Sequence, residues 1–69
     1  MINHIIVQMI NHRRGILEFI RRKKVITIYE LAKHLKISWN TAEKYLLELV
    51  IENKIIKIKK ERLNLWMLK

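Results

Sequence analysis

The sequence predicts a small α+β domain, mainly helical, in which three helices are followed by a two-stranded β-hairpin. Apolar residues recur at steps of three and four through much of residues 2–50, which is the spacing of amphipathic helices. After Asn53 the period changes to two in Ile56-Lys57-Ile58-Lys59, as in a half-buried strand. The chain has 69 residues and no cysteine. We therefore expect one domain held by packing rather than by disulfides.

The first helix is predicted to be long. Two apolar rows run in phase from Ile2 to Ile20 and continue across Asn11 and Gly15. This continuity favours one helix, although Asn11 is also a suitable cap for a second, shorter helix. Basic residues 21–24 end the pattern, where positive charge favours a helix C-terminus.

A minimal strand and a second helix are predicted next. Val25-Ile26-Thr27 is β-branched, which favours a short strand. Thr27 and Glu30 have the spacing of a capping box, in which each residue's side chain bonds the other's backbone N–H. The helix that begins there is expected to end near Lys36.

A third helix and the hairpin complete the predicted fold. Ser38 is a natural N-cap for a helix over residues 39–53, and the turn before it is tight. The inner face of that helix is expected to comprise Ala42, Tyr45, Leu46, Leu49 and Val50. Because the connection Lys59-Lys60-Glu61-Arg62 contains no glycine, a two-residue turn is disfavoured. We expect a slightly longer basic loop.

The chain is strongly basic, with 15 Lys and Arg against 6 acidic residues and a formal net charge of +9. Such an excess attracts polyanions, so nucleic acid is the leading candidate partner, with a merely basic solvated surface as the alternative. The three histidines are too scattered for a metal site, and there is no glycine-rich phosphate loop or catalytic triad pattern. We therefore expect no metal, cofactor or small-molecule ligand and no enzymatic activity.

The N-terminal segment does not have the pattern of a secretory signal, since it lacks a leading positive charge. No apolar run approaches the ~18 residues of a membrane span. We expect a cytoplasmic, nucleoid-associated protein that does not bind membranes, although residues 1–24 leave membrane-surface association as an alternative. The high isoleucine and lysine content with little glycine suggests an A·T-rich genome, and the compact form is similar to that of small proteins of archaea or their viruses and plasmids.

The predicted order of elements resembles the winged helix-turn-helix domains of small archaeal, viral and bacterial transcription regulators. The likeness covers about residues 13–69. It is carried by Ile16–Ile20, Ile26–Ser38, Thr41-Ala42, Leu46, Leu49-Val50, Glu52–Ile55 and Trp66. The family usually has glycine where Lys36 and Asn53 stand. Asparagine tolerates the left-handed conformation that glycine supplies there, and lysine does so less readily.

The resemblance implies double-stranded DNA binding, with the third helix in the major groove and the hairpin wing on the backbone. The implied recognition-helix residues are Ser38, Trp39, Asn40, Thr41, Glu43 and Lys44. The implied wing residues are Lys59, Lys60 and Arg62, which would otherwise form a solvated loop.

Individual roles follow from side-chain chemistry. Asn40 suits an adenine edge, Lys44 suits guanine or phosphate, and the hydroxyls of Ser38 and Thr41 suit phosphate. Trp39 either contacts DNA or folds onto the core. Glu43 either accepts from a cytosine amino group or pairs with Lys44 or a nearby arginine.

The resemblance also implies a regulator that works as a homodimer. Residues 1–12 form a helical extension of the core over residues 13–69 and carry an apolar stripe. The predicted dimer seam comprises Ile2, Ile5, Met9 and Ile16. Alternatively, Leu47 and Ile51 of the third helix receive this stripe within one chain. Two rival functions remain: a protein-docking module that uses Trp39, Leu47 and Ile51, and a non-specific chromatin-type DNA binder.

Overall fold

The computed structural model describes the backbone of residues 4–69 and the side chains of residues 12–69. Its elements are α1 (His4–Lys23), β1 (Val25–Ile26), α2 (Ile28–Leu35), α3 (Trp39–Ile51), β2 (Ile55–Lys60) and β3 (Leu63–Leu68). The first helix continues without a break past Asn11 and Gly15. The three-helix, small-sheet architecture predicted from the sequence is therefore confirmed.

Side-chain caps fix where α2 and α3 begin. The Glu30 backbone N–H donates to Thr27 Oγ1 at 3.1 Å, and the Thr27 N–H donates to Glu30 Oε1 at 3.0 Å, completing the predicted capping box. The Thr41 N–H donates to Ser38 Oγ at 3.2 Å, which confirms Ser38 as the N-cap of α3. Both caps hold the first turns of their helices at defined positions beside the sheet.

The turn between α2 and α3 depends on Lys36. This residue adopts the left-handed conformation, with φ 56° and ψ 45°, and its backbone N–H bonds the Ala32 carbonyl. The Ile37 N–H donates to the same carbonyl at 3.1 Å. Lysine thus takes the conformation that glycine takes more readily, and the turn keeps its geometry at a conformational cost.

The sheet has the order β1-β3-β2 with antiparallel pairing throughout. The hairpin pairs as far as Lys60 with Leu63, so its turn is only Glu61-Arg62. The prediction of a longer loop is wrong, because Glu61 itself supplies the positive φ, 58°, that a two-residue turn requires.

The core lies between the three helices and one face of the sheet. Its fully buried residues are Ile16, Ile20, Ile26, Leu31, Ala42, Leu46, Leu49, Ile55 and Trp66. Ile16 has no exposed surface within a single chain, so its assignment to the dimer seam is wrong. The other seam residues, Ile2, Ile5 and Met9, have side chains outside the described residues.

In β2, the alternation of isoleucine and lysine suggests that Ile56 and Ile58 face the core. The structure shows the opposite orientation. Trp66 fills the core, and Lys57, its cross-strand neighbour, places its Nζ 5.4 Å from the centroid of the Trp66 ring. Ile56 and Ile58 therefore lie on the outer face and are partly exposed. Because Ile55 and Lys57 share the face of β2 that covers the core and the indole, Ile56 and Ile58 are left to face outward.

Two contacts connect α1 to the middle of α3 and to its C-cap residue. Arg13 and Glu52 form an ion pair, and His12 Nδ1 lies 3.2 Å from the Tyr45 hydroxyl. A third contact joins α1 to α2, where the rings of Phe19 and His34 stack with centroids 4.2 Å apart. These contacts, together with the core, fix the orientation of α3 relative to α1.

Candidate nucleic-acid interface

The first two turns of α3 present the predicted recognition residues to the outside. Asn40, Glu43 and Lys44 are exposed, whereas the opposite face of the helix is buried. Trp39 is 57% exposed, so its ring is not folded into the core. The structure thus brings these four side chains to one outward surface of the helix.

Ser38 and Thr41 are partly committed to capping. Their hydroxyl oxygens lie 2.8 Å apart, so one hydroxyl donates to the other. Each hydroxyl has one proton, and only one of the two protons forms the hydrogen bond between them. The other is therefore free to donate to a different group. A phosphate at this helix N-terminus would therefore find a hydroxyl donor together with the favourable end of the helix dipole.

The hairpin tip divides the predicted wing residues between two faces. Lys59 pairs with Asn64 and Lys60 pairs with Leu63, so these two lysines point to opposite faces of the hairpin. Arg62, in the turn, lies beside the start of α3. All three side chains are exposed.

A groove joins the hairpin tip to both short helices, and we call it the aromatic groove. Its volume is about 140 Å³. Its lining includes Tyr29 from α2, Trp39 and Glu43 from α3, and Arg62, Leu63 and Asn64 from the hairpin. Of the predicted residues, the structure therefore brings Trp39, Glu43 and Arg62 together around one opening.

Sequence reasoning missed Tyr29, Leu63 and Asn64. Tyr29 lies outside the apolar row of α2 and is 66% exposed. An aromatic residue just off the buried stripe, one position into a capped helix, is a signal that would have indicated it. Leu63 and Asn64 had no comparable signal, because their place depends on the length of the hairpin turn.

The ion pairs of the described residues lie away from this surface. They are Arg13–Glu52, Arg21–Glu18 and Lys23–Glu30. Within the described part of the chain, Lys44, Arg62 and Glu43 have no ion pair. The expected pairing of Glu43 with Lys44 or an arginine is thus not observed. The cations at the interface are not neutralised by these pairs, and Glu43 has its carboxylate oxygens available as acceptors.

Two pKa shifts accompany the paired glutamates. The backbone N–H of Thr27 lowers the pKa of Glu30, and Lys23 lowers it further. A hydrogen bond from Arg21 lowers the pKa of Glu18. Both groups support helix ends rather than the candidate interface.

The residues that the structure describes contain no candidate metal site and no candidate membrane span. No three histidine or acidic side chains there are grouped closely enough to hold a metal ion. None of the helices, as far as they are described, has the length and apolar character needed to cross a membrane.

Comparison with solved structures identifies the fold. The Zalpha domain of Carassius auratus PKZ, solved in complex with Z-DNA, aligns with a TM-score of 0.81 over 90% of this chain and 98% of that one, at 19% identity. The chain has the winged helix-turn-helix fold. In this fold α3 occupies the position of the recognition helix and the β2–β3 hairpin is the wing. The resemblance inferred from the sequence is confirmed.

Two regulators share the same fold. MarR from E. coli, in its oxidized form, aligns with a TM-score of 0.76 over 83% of this chain and 42% of that one, at 24% identity. The adhesin competence repressor AdcR from Streptococcus pyogenes aligns with a TM-score of 0.77 over 86% and 46%, at 26% identity. The winged helix chain spans less than half the length of either regulator. Sequence comparison finds no matching family model and no matching curated protein.

Proposed function

We propose that the protein binds double-stranded DNA and regulates transcription, with α3 in the major groove and the wing on the backbone. One observation carries the proposal: the exposed first turns of α3 and Arg62 of the wing lie around one opening in a chain of net charge +9. The DNA-bound Zalpha domain and the repressor AdcR support it as proteins of the same fold. Such a function places the protein on the nucleoid.

The proposed contacts divide into base reading and phosphate binding. Asn40 is exposed on the outward face of α3, and its amide is able to bond an adenine edge with two hydrogen bonds. Lys44, one turn further along, reaches guanine or phosphate. The Ser38–Thr41 pair and the wing cations bind phosphate and set the register of the protein on the duplex.

A matched pair of wing variants tests this arrangement. Arg62→Ala and Lys60→Ala each remove one positive charge from the wing tip, but only Arg62 lines the groove beside α3. We expect Arg62→Ala to weaken binding of a labelled mixed-sequence duplex about fivefold and Lys60→Ala about twofold or less, measured by fluorescence anisotropy. Equal losses, or none, would contradict the proposed docking of the wing.

The form of the duplex is a second variable. Because the Zalpha domains were solved with Z-DNA and with ds(CG)6, an alternating CG duplex is the natural comparison probe. We expect tighter binding to a mixed-sequence duplex that contains A·T pairs, since Asn40 reads adenine in our proposal. Preference for the CG duplex would overturn the role of Asn40.

A protein-docking module is the second candidate function. Leu47 and Ile51 lie on the same outward stripe of α3 as Asn40 and Lys44, and they are 42% and 83% exposed. Exposed apolar side chains of this kind are suited to a protein partner. Absence of duplex binding at low salt would favour this candidate.

We further propose that the protein is a homodimer joined through the first half of α1. Among the described side chains of α1, those of the core are Ile16, Phe19 and Ile20. The apolar stripe of Ile2, Ile5 and Met9 is separate in sequence, within the proposed extension over residues 1–12. Two copies would read two half-sites about one helical turn apart.

Sedimentation equilibrium tests the dimer. We expect a dimeric wild-type protein and a monomeric Ile5→Asp variant with weaker binding to DNA. Ile58→Asp is the matched control, since Ile58 is a partly exposed isoleucine on the outer face of the sheet. The proposed dimer seam would be contradicted by a monomeric wild-type protein, or by a dimer that dissociates in Ile58→Asp rather than in Ile5→Asp.

A further inference from the structure

The aromatic groove exposes two large rings at the edge of the proposed interface. Tyr29 and Trp39 are 66% and 57% exposed, and each lies in the first turn of a capped helix. Leaving both rings in water forgoes the free energy of burying them. Exposed aromatic rings within a cationic surface are the means by which proteins stack single nucleic-acid bases.

The polar lining of the groove matches the edge of a base rather than a phosphate. The Glu43 carboxylate, which has no ion pair among the described residues, would repel a phosphate. It is suited to accept from the exocyclic amino group of cytosine or adenine. The Asn64 amide both donates and accepts. These two side chains supply the hydrogen-bonding partners beside the two rings, since Thr27 is engaged in the capping box.

The rim of the groove is suited to the strand that carries such a base. Arg62 lines the opening, and Lys59 and Lys60 precede it at the wing tip. A guanidinium and ammonium groups bind phosphates on either side of a nucleotide. A groove of about 140 Å³ admits one planar ring system, which sets the size of the occupant.

We propose that the aromatic groove binds a nucleobase that has left the duplex stack, so that the protein prefers duplexes that contain an unpaired or mismatched base. This inference rests on the proposed DNA-binding function and specifies its substrate. A paired base is covered by its neighbours on both faces and does not reach a groove at the side of α3. Releasing it costs free energy, and the cost is least where the base is already unpaired.

The test compares two labelled duplexes of one sequence, one fully paired and one with a single bulged adenine. We expect the wild-type protein to bind the bulged duplex about tenfold more tightly in anisotropy titrations, as stacking of one base contributes. Tyr29→Ala should reduce this ratio to near one while affinity for the paired duplex changes less than about threefold, and Trp39→Ala should also reduce the ratio to near one. Ile51→Ala, on the same helix but outside the groove, should keep the ratio.

Intrinsic fluorescence gives an independent reading. Trp66 is buried and Trp39 is exposed, so stacking of a base on Trp39 should quench the emission of the wild-type protein on the bulged duplex. In Trp39→Phe the remaining emission, from Trp66, should not respond. This measurement does not depend on the stability of the alanine variants.

Each alternative outcome has a distinct meaning. Salt-dependent binding to both duplexes with equal affinity would overturn the inference and leave the proposed function intact. Equal weakening of both duplexes by Trp39→Ala would place Trp39 on paired DNA and also overturn it. No binding to either duplex would remove the proposed function itself and favour a side chain of a protein partner as the occupant of the groove.

Discussion

Lys36 makes the turn between α2 and α3 at a cost that a single substitution should remove. Its φ of 56° and ψ of 45° cost a non-glycine residue about 1–2 kcal/mol. Glycine avoids this cost but loses about 0.5–1 kcal/mol through the greater freedom of the unfolded chain. The side chain is exposed, so its removal loses little packing. We therefore expect Lys36→Gly to raise the free energy of unfolding by about 0.5–1 kcal/mol.

Urea unfolding followed by circular dichroism measures this change, and thermal unfolding should show a rise in Tm of about 2–8 °C. Lys36→Ala is the matched control, because it removes the same charge and retains the left-handed strain. It should be no more stable than the wild type. If Lys36→Gly and Lys36→Ala are equally stable, the turn does not hold the strained conformation and the reasoning is refuted.

Four other predictions test the supporting structure and the interface. Gly15→Ala should raise stability by about 1 kcal/mol, because a Cβ at this position has its nearest contact at 3.9 Å; urea unfolding measures it. The lowered pKa of Glu30 means that its stabilising contribution is present above the ordinary pKa of 4.5 and is lost as the pH falls through its lower pKa in the folded protein. Glu30→Gln should therefore lose less stability than the wild type on acidification below pH 4.5. Glu61→Gln should tighten binding to every duplex by roughly twofold, since it removes a negative charge from the wing tip. Asn40→Ala should reduce the binding free energy by about 1–3 kcal/mol through the loss of contact with one base position, measured across duplexes with single base-pair changes.

The contrary results are equally specific. A destabilised Gly15→Ala protein would mean that the helix is crowded at this position. Superimposable acid-unfolding profiles for Glu30→Gln and the wild type would show that protonation of the capping carboxylate does not change the stability of the protein. Unchanged affinity of Glu61→Gln would place the wing tip away from phosphate. Equal loss on all duplexes for Asn40→Ala would remove its base-reading role.

The sequence predicted the helical part of the fold because its signals are local. The apolar rows of α1, the Thr27–Glu30 capping box and the N-cap at Ser38 each depend on residues within a turn or two of one another. The surface of α3 was predictable for the same reason. Once Ala42, Leu46 and Leu49 are assigned to the core, helical spacing puts Asn40 and Lys44 outside.

The hairpin was less predictable because its details depend on distant contacts. The phase of β2 is set by Trp66, whose ring must be covered, and alternation alone does not say which face that is. The turn at Glu61 violates the usual residue preference, so composition pointed to a longer loop. Ile16 has the spacing of a seam residue, and only the packing of α1 against the sheet shows that it belongs to the core.

The aromatic groove was beyond sequence reasoning for a related reason. Its walls come from α2, α3 and the wing, which meet only in the folded chain. Trp39 and Glu43 were identified as single residues with two possible roles each. Their contact with one opening, shared with Arg62, is a consequence of the wing's two-residue turn.

The salt dependence of duplex binding tests the central claim most directly. Three exposed cations, Lys44, Lys59 and Arg62, are proposed to contact phosphate, whereas Lys60 points to the opposite face of the hairpin from Lys59. Each phosphate contact contributes about −0.9 to the slope of log affinity against log salt. Anisotropy titrations of a mixed-sequence duplex should therefore give a linear fall with a slope of about −2 to −3 per protein chain. Absent binding at low salt, or binding whose affinity does not change with salt, would contradict the assignment of α3 and the wing to DNA.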